Sequence, residues 1–200
     1  MLSAAEEREL LEKAHVPEHL AGLMSCVSGG ELFLIDEYFC CLKAKWVTVV
    51  GYPLGNDFHP KRFEAVLDRI IRRFRPHQIS FIAPQLPSSW VSICQEREAD
   101  WYYTLPLEGL KIRSGIKRLL EKAARKLTLE TSTCMQAAHR ELIDEFLQRV
   151  RPTPRIEALY RKMPDYVGCC AHSLVINAWD QHAGLAGFYV VDLAAAGPPG

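Results

Sequence analysis

Residues 51–74 read GYPLGNDFHPKRFEAVLDRIIRRF, and the change of rhythm inside this stretch decides the fold class. It opens on a strand-ending turn, Gly51 to Asp57, whose Pro53, Gly55 and Asn56 are residues of tight turns. It then takes up a helical period. Phe63, Val66, Leu67, Ile70, Ile71 and Phe74 recur at spacings of three, one, three, one and three, which draws one apolar stripe. The opposite face is basic (Lys61, Arg62, Arg69, Arg72, Arg73, Arg75) and reads as a solvated face, with Glu64 and Asp68 placed to pair with part of it. Pro76 stops the helix. Trp46–Val50 before the turn and Gln78–Ala83 after the helix are rich in β-branched and aromatic residues. Strand, turn, amphipathic helix and strand in that order predict a mixed α/β protein.

Toward the N-terminus, Ser3 and Glu6 are spaced as a capping box, so a helix is expected from about Ala4 to Ala14. Pro17 fits the first turn of a short second helix ending near Gly22 to Ser25. Residues 31–51 are extended in pattern, broken at Asp36-Glu37 and at Lys43-Ala44-Lys45; two strands or three satisfy it. Toward the C-terminus, a short helix is expected over Trp90–Glu98 and a strand over Trp101–Leu107. Lys111–Lys126 reads as a second strong helix with Ile112, Ile116, Leu119, Leu120 and Ala123 as its buried stripe. Seven basic residues against Glu121 give that helix a local charge of +6. A strand over Leu127–Thr131, a helix carrying Met135 to Val150 and a short helix with Ile156, Leu159 and Tyr160 follow. Strands Ser173–Asp180 and Leu185–Leu193 are expected to join through a hairpin at Gln181–Gly184, ahead of a terminal coil over 194–200.

Bulk properties narrow the function classes. The chain has 200 residues, 24 Lys and Arg against 24 Asp and Glu, 48% apolar and 24% charged residues. This is a globular composition, and its zero net charge argues against a protein that coats nucleic acid by bulk positive charge. No apolar run approaches the ~18 residues of a membrane span. The acidic N-terminus is unlike a signal peptide. Seven cysteines, an odd number with two adjacent pairs, are expected to be free thiols in a reducing cytoplasm. Cys169, Cys170 and His172 lack the second ligand pair of a zinc site, so no metal is expected.

Two stretches share an order of elements. Residues 3–50 read helix, short helix, strands; residues 127–193 read strand, helix, short helix, strands. This order, the turn and helix of 51–74, and the strand and basic helix of Tyr103–Lys126 (YTLPLEGLKIRSGIKRLLEKAARK) resemble the GNAT acyltransferase superfamily. Within it they are similar to the tandem branch of Fem-type aminoacyl transferases, the C-terminal domain of phosphatidylglycerol lysyltransferases and their soluble relatives. The resemblance spans about residues 30–193 and implies an α/β fold with a GNAT-like mixed sheet flanked by helices. It implies a first GNAT-like half over 1–110, a basic connecting helix over 111–126, and a partial second half over 127–193 that lacks the further strand, phosphate-binding turn and helix expected after the hairpin. The activity implied is acyl or aminoacyl transfer from acyl-CoA or aminoacyl-tRNA to an amine or hydroxyl. A degenerate, non-catalytic binding or dimerising module is the alternative, with 185–193 as an exposed edge strand on which a homodimer could form.

Transfer of this kind needs backbone amides at a helix start to hold a donor's phosphates, a base for the acceptor proton and a donor for the oxyanion. The turn feeding the helix near Phe58 is the candidate anion site, with Gly51, Gly55 and Asn56 approaching acyl-CoA as co-substrate; the same residues also read as a simple turn capped by Asn56 or Asp57. Arg113 and Lys117 of the basic helix are candidates to face CoA phosphates, tRNA or an anionic lipid headgroup, or else a solvated face. Candidate bases are Glu37, which with Asp36 falls in mid-sheet or in a turn, and His139, which also reads as a packed or surface histidine; His172 and His182 are further histidines of the second half.

Overall fold

The computed structural model describes residues 2–55, 57–103, 105 and 108–193. Among them the chain is mixed α/β, with six α-helices and two sheets. It folds as two compact units, residues 1–100 and 101–193 among those described.

In the first unit, helix α1 (Ala4–Lys13) starts on the Ser3–Glu6 capping box: the Glu6 amide donates to Ser3 Oγ at 3.3 Å and the Ser3 amide donates to Glu6 Oε2 at 2.7 Å. Pro17–His19 forms a single 3₁₀ turn, and α2 runs over Ala21–Ser28, so the proline begins the tight turn and the helix proper comes after it. Strands β1 (Glu31–Ile35), β2 (Tyr38–Lys43) and β3 (Trp46–Val50) form an antiparallel meander. The chain therefore has three strands here, with turns at Asp36-Glu37 and Ala44-Lys45, where Asp36 (φ 53°) and Ala44 (φ 54°) adopt the left-handed conformation. Helix α3 (Pro60–Phe74) crosses to β4 (Gln78–Ile82), which lies parallel to β3. The sheet order is β1-β2-β3-β4.

Alternation along the strands loads both faces of this sheet. Tyr38, Cys40, Val47 and Val49 meet the α3 stripe of Phe63, Val66, Leu67 and Ile70, all 1% exposed or less. Phe39, Cys41 and Val50 meet Leu10, Val16, Met24 and Leu54 on the other face. Each buried Val, Leu, Ile, Phe or Met side chain among these contributes roughly 1.5–3 kcal/mol relative to exposure. Burial also pushes the Cys40 thiol up to about 12, which suits a packing residue rather than a reactive thiol. The helix expected over Trp90–Glu98 is replaced by a 3₁₀ turn at Ser88–Trp90, where Trp90 packs edge-on against Phe81.

In the second unit, α4 (Ser114–Ala124) is shorter than the pattern of 111–126 suggests, and of the stripe expected to be buried Ile112, Ile116, Leu119 and Leu120 are exposed and Ala123 is half-buried: α4 has no buried residue. Of the strand expected over 101–107, residues 101–103 and 105 are not in strand; 104, 106 and 107 lie outside the described residues. Strands β5 (Thr128–Ser132), β6 (Ser173–Trp179) and β7 (Leu185–Asp192) form an antiparallel sheet. Helices α5 (Ala137–Val150) and α6 (Pro154–Cys169) connect β5 to β6. The second of these is a full helix of 16 residues that accommodates Pro164, longer than the short helix expected around Ile156, Leu159 and Tyr160.

The two helices pack on the sheet face that carries Ser173, Val175 and Asn177. Tyr166 and Ser173 both donate to Asp192 Oδ1, tying α6 to both strands, and burial together with the carboxylate holds the Tyr166 hydroxyl far above its ordinary range. The opposite face carries Leu129 (71% exposed), Tyr189 (70% exposed) and the half-buried Ile176. The terminal coil expected over 194–200 lies outside the described residues.

Candidate functional site

The strongest concentration of chemistry lies in the first unit, at the end of the sheet where β3 stops and α3 starts. The two-residue turn between β1 and β2 brings Asp36 and Glu37 to this end. Asp36 is stabilised in its left-handed conformation by Arg69 of α3, whose two terminal nitrogens bond both carboxylate oxygens, one of them at 2.9 Å. Glu37 Oε1 lies 3.3 Å from Arg62 Nη1, and its side chain is only 17% exposed. Asp36 and Glu37 therefore occupy a turn and pair with arginines one helix away. The i,i+4 pairing expected along α3 is in part superseded by these contacts, and Glu64 instead accepts from the Ser89 amide and hydroxyl.

Between the two ion pairs sits Tyr38. Its hydroxyl is buried and has no hydrogen-bond partner among the described residues. Burial, reinforced by Glu37, raises it above the ordinary phenol range. Asp36, Glu37, Tyr38, Arg62, Ala65, Val66 and Arg69 line a cleft of about 470 Å³.

The turn after β3 joins the same end. The Gly51 amide donates to Ile82 O at 2.7 Å, so β3 and β4 stay bonded one residue past the ladder. A Cβ on Gly51 would stand 2.7 Å from Ala83 Cβ, 2.8 Å from the Phe63 ring and 2.9 Å from Ile82 O, so glycine is required here by close packing. The Leu54 amide donates to Glu37 O at 2.8 Å, tying the turn to the hairpin. Gly55 has φ +82°, and its Cα faces the Lys13 side chain of α1. Asn56 lies outside the described residues. Helix α3 begins at Pro60, not Phe58; proline at the first helical position leaves the Lys61 and Arg62 amides as its orphan donors, and no acidic residue occupies the first turn. The helix dipole and Lys61 favour an anion at this end, while the Arg62 side chain is paired with Glu37.

His19, absent from the candidates read in the sequence, holds the turn from below. Its ring is fully buried; Nδ1 accepts from the His15 amide at 3.4 Å and Nε2 donates to Tyr52 O at 2.8 Å. Burial is the main cause of its pKa falling to about 4, so the ring is neutral near pH 7. No periodicity marks it, because it sits in a single 3₁₀ turn.

The remaining candidates lie in the second unit. His139 is fully buried: Nδ1 accepts from the Gln136 amide at 2.9 Å, Nε2 donates to Asn177 Oδ1 at 2.9 Å, and the ring lies 5.2 Å from Phe188. Both ring nitrogens are thereby engaged: Nδ1 caps the start of α5 and Nε2 joins α5 to β6. His172 and His182 are exposed. Arg113 caps α4 and Lys117 lies within it, both exposed. Among the described residues no group of three His, Cys, Asp or Glu side chains could hold a metal ion.

No family model matches the chain, and no curated protein or solved structure matches it. No helix among the described residues is long and apolar enough to cross a membrane.

Proposed function

We propose that the chain is an acyl or aminoacyl transferase of the GNAT type, with acyl-CoA or aminoacyl-tRNA as donor and an amine or hydroxyl as acceptor. The observation that carries this reading is the first unit's order: two helical segments, an antiparallel meander, then a helix crossing to a strand parallel to the last of them. The second unit supports it by running strand, two helices and two strands, as a partial second copy would. In this reading the donor's phosphates approach the α3 N-terminus, toward the Lys61 and Arg62 amides and the Lys61 side chain. Glu37 in the adjoining cleft is the base. The acceptor nitrogen or oxygen attacks the donor carbonyl carbon, its proton passes to Glu37, and the carbon–sulfur or ester carbon–oxygen bond breaks. Glu37 then returns the proton to the leaving thiolate or ribose oxygen. Arg62 positions the carboxylate from 3.3 Å. Arg113 and Lys117 are the proposed contacts for a polyanionic donor on the second unit.

The bonded Gly51–Ile82 pair constrains this scheme, because a donor arm can enter only beyond that bond. Calorimetric titration with acetyl-CoA and longer acyl-CoAs tests it. Binding that is lost in Lys61→Glu supports the donor site. Absence of heat at millimolar ligand refutes a CoA donor, and absence of transfer from a mixture of aminoacyl-tRNAs then refutes the class.

A second reading, a dimerising module, is favoured by the open sheet face around Leu129 and Tyr189 and by β7 as an edge strand. A monomer by light scattering would exclude it.

A further inference from the structure

Helix α4 is amphipathic yet has no fully buried residue. Its Ile116, Leu119, Leu120 and Ala123 lie on one side, and Leu119 is 67% exposed. At roughly 3.6 residues per turn, Lys117 and Lys122 fall about 110° to either side of the midline of that stripe. Long cationic side chains at those two positions can lie along an apolar layer and lift their charges out of it. Arg118 on the opposite side of the helix, and Arg113, Arg125 and Lys126 at and beyond its ends, add further positive charge. Ile112 extends the stripe upstream, and Trp101 (78% exposed) and Tyr103 (90% exposed), residues suited to a water–lipid boundary, precede it in the same unit.

We infer that α4 is a docking element for an anionic lipid surface, lying in the headgroup plane with its apolar stripe inward and its lysines at the phosphate level. Charge selects this occupant. A nucleic acid offers phosphates but nothing for the stripe to enter. A second copy of this chain offers apolar surface, but its own α4 segment carries the same +6 charge. An anionic bilayer presents an apolar layer and negative charge in one plane, and a helix of 11 residues, about 16 Å long, lies on such a surface without spanning it. It does not rest on the transferase reading, and it assigns Arg113 and Lys117 to lipid phosphates in place of a polyanionic donor.

The test is co-sedimentation of the full chain with phosphatidylcholine vesicles and with vesicles in which about a third of the lipid is phosphatidylserine. Binding is expected to the anionic vesicles only, weakening as salt rises from about 0.1 M to about 0.5 M. Lys117→Ala and Lys122→Ala should each lower affinity about fivefold, and Leu119→Glu about tenfold or more. Because α4 packs no core residue, these variants should keep the wild-type circular dichroism spectrum. Failure to bind, or equal binding to neutral vesicles, overturns the inference. Binding that Leu119→Glu leaves intact also overturns it, since the stripe would then play no part. So does a dimer in solution that Leu119→Glu dissociates, which would make the stripe a protein interface.

Discussion

Acidification should unfold the first unit through His19. In the folded chain this imidazole is enclosed, with both nitrogens engaged, and it takes a proton only near pH 4. In the unfolded chain it titrates near 6.5. Between those values the unfolded state binds a proton that the folded state refuses, so folding stability falls as pH drops below about 6.5 and levels off below about 4. Each pH unit in that window costs about 1.4 kcal/mol. Going from pH 7.5 to 4.5 therefore removes about 3 kcal/mol, a large part of the 5–15 kcal/mol typical of a domain. His19→Gln preserves a donor toward Tyr52 O but cannot titrate. In a Trp101→Phe, Trp179→Phe background, Trp46 and Trp90 report urea unfolding of the first unit. The stability of the chain with His19 intact, measured relative to the His19→Gln variant, should fall by about 3 kcal/mol across that pH range. A difference between the two proteins that stays constant within about 0.5 kcal/mol would refute the linkage, and with it the claim that His19 holds the turn as a neutral ring.

Four further outcomes follow from the packing and the site. Gly51→Ala forces a Cβ against Ala83, the Phe63 ring and Ile82 O, and should destabilise by roughly 1–3 kcal/mol in denaturant melts. Phe63→Ala empties the centre of the α3–sheet interface and should cost about 3–5 kcal/mol in the same melts. Tyr38→Phe removes a buried hydroxyl that has no partner among the described residues, so the free protein should be unchanged or gain up to about 1 kcal/mol; a clear loss of stability would show that the hydroxyl is satisfied. Glu37→Gln should lower the transfer rate by about 10²–10⁴-fold while calorimetry finds donor affinity retained; an unaltered rate would remove Glu37 from the chemistry.

Local rules read from the residues decided most elements. The Ser3–Glu6 box, the spacing from Phe63 to Phe74 and the β-branched run at Trp46–Val50 specify their own conformations, because helix period, strand alternation and caps act over a few residues. Four features needed the tertiary fold. Asp36-Glu37 is an unfavourable turn dipeptide on its own, and it is held as one by Arg69 and Arg62 across a separation that no local pattern encodes. His19 acquires its role from the Tyr52 carbonyl, many residues away. His139 was readable as a histidine near an apolar stripe, but Asn177 on another element determines that its ring joins helix to sheet. The α4 stripe obeys the same spacing as that of α3, yet one is buried and the other exposed. Periodicity specifies that a helix has an apolar side; only the arrangement of the remaining chain determines whether anything covers it, since burial is a property of neighbours distant in sequence.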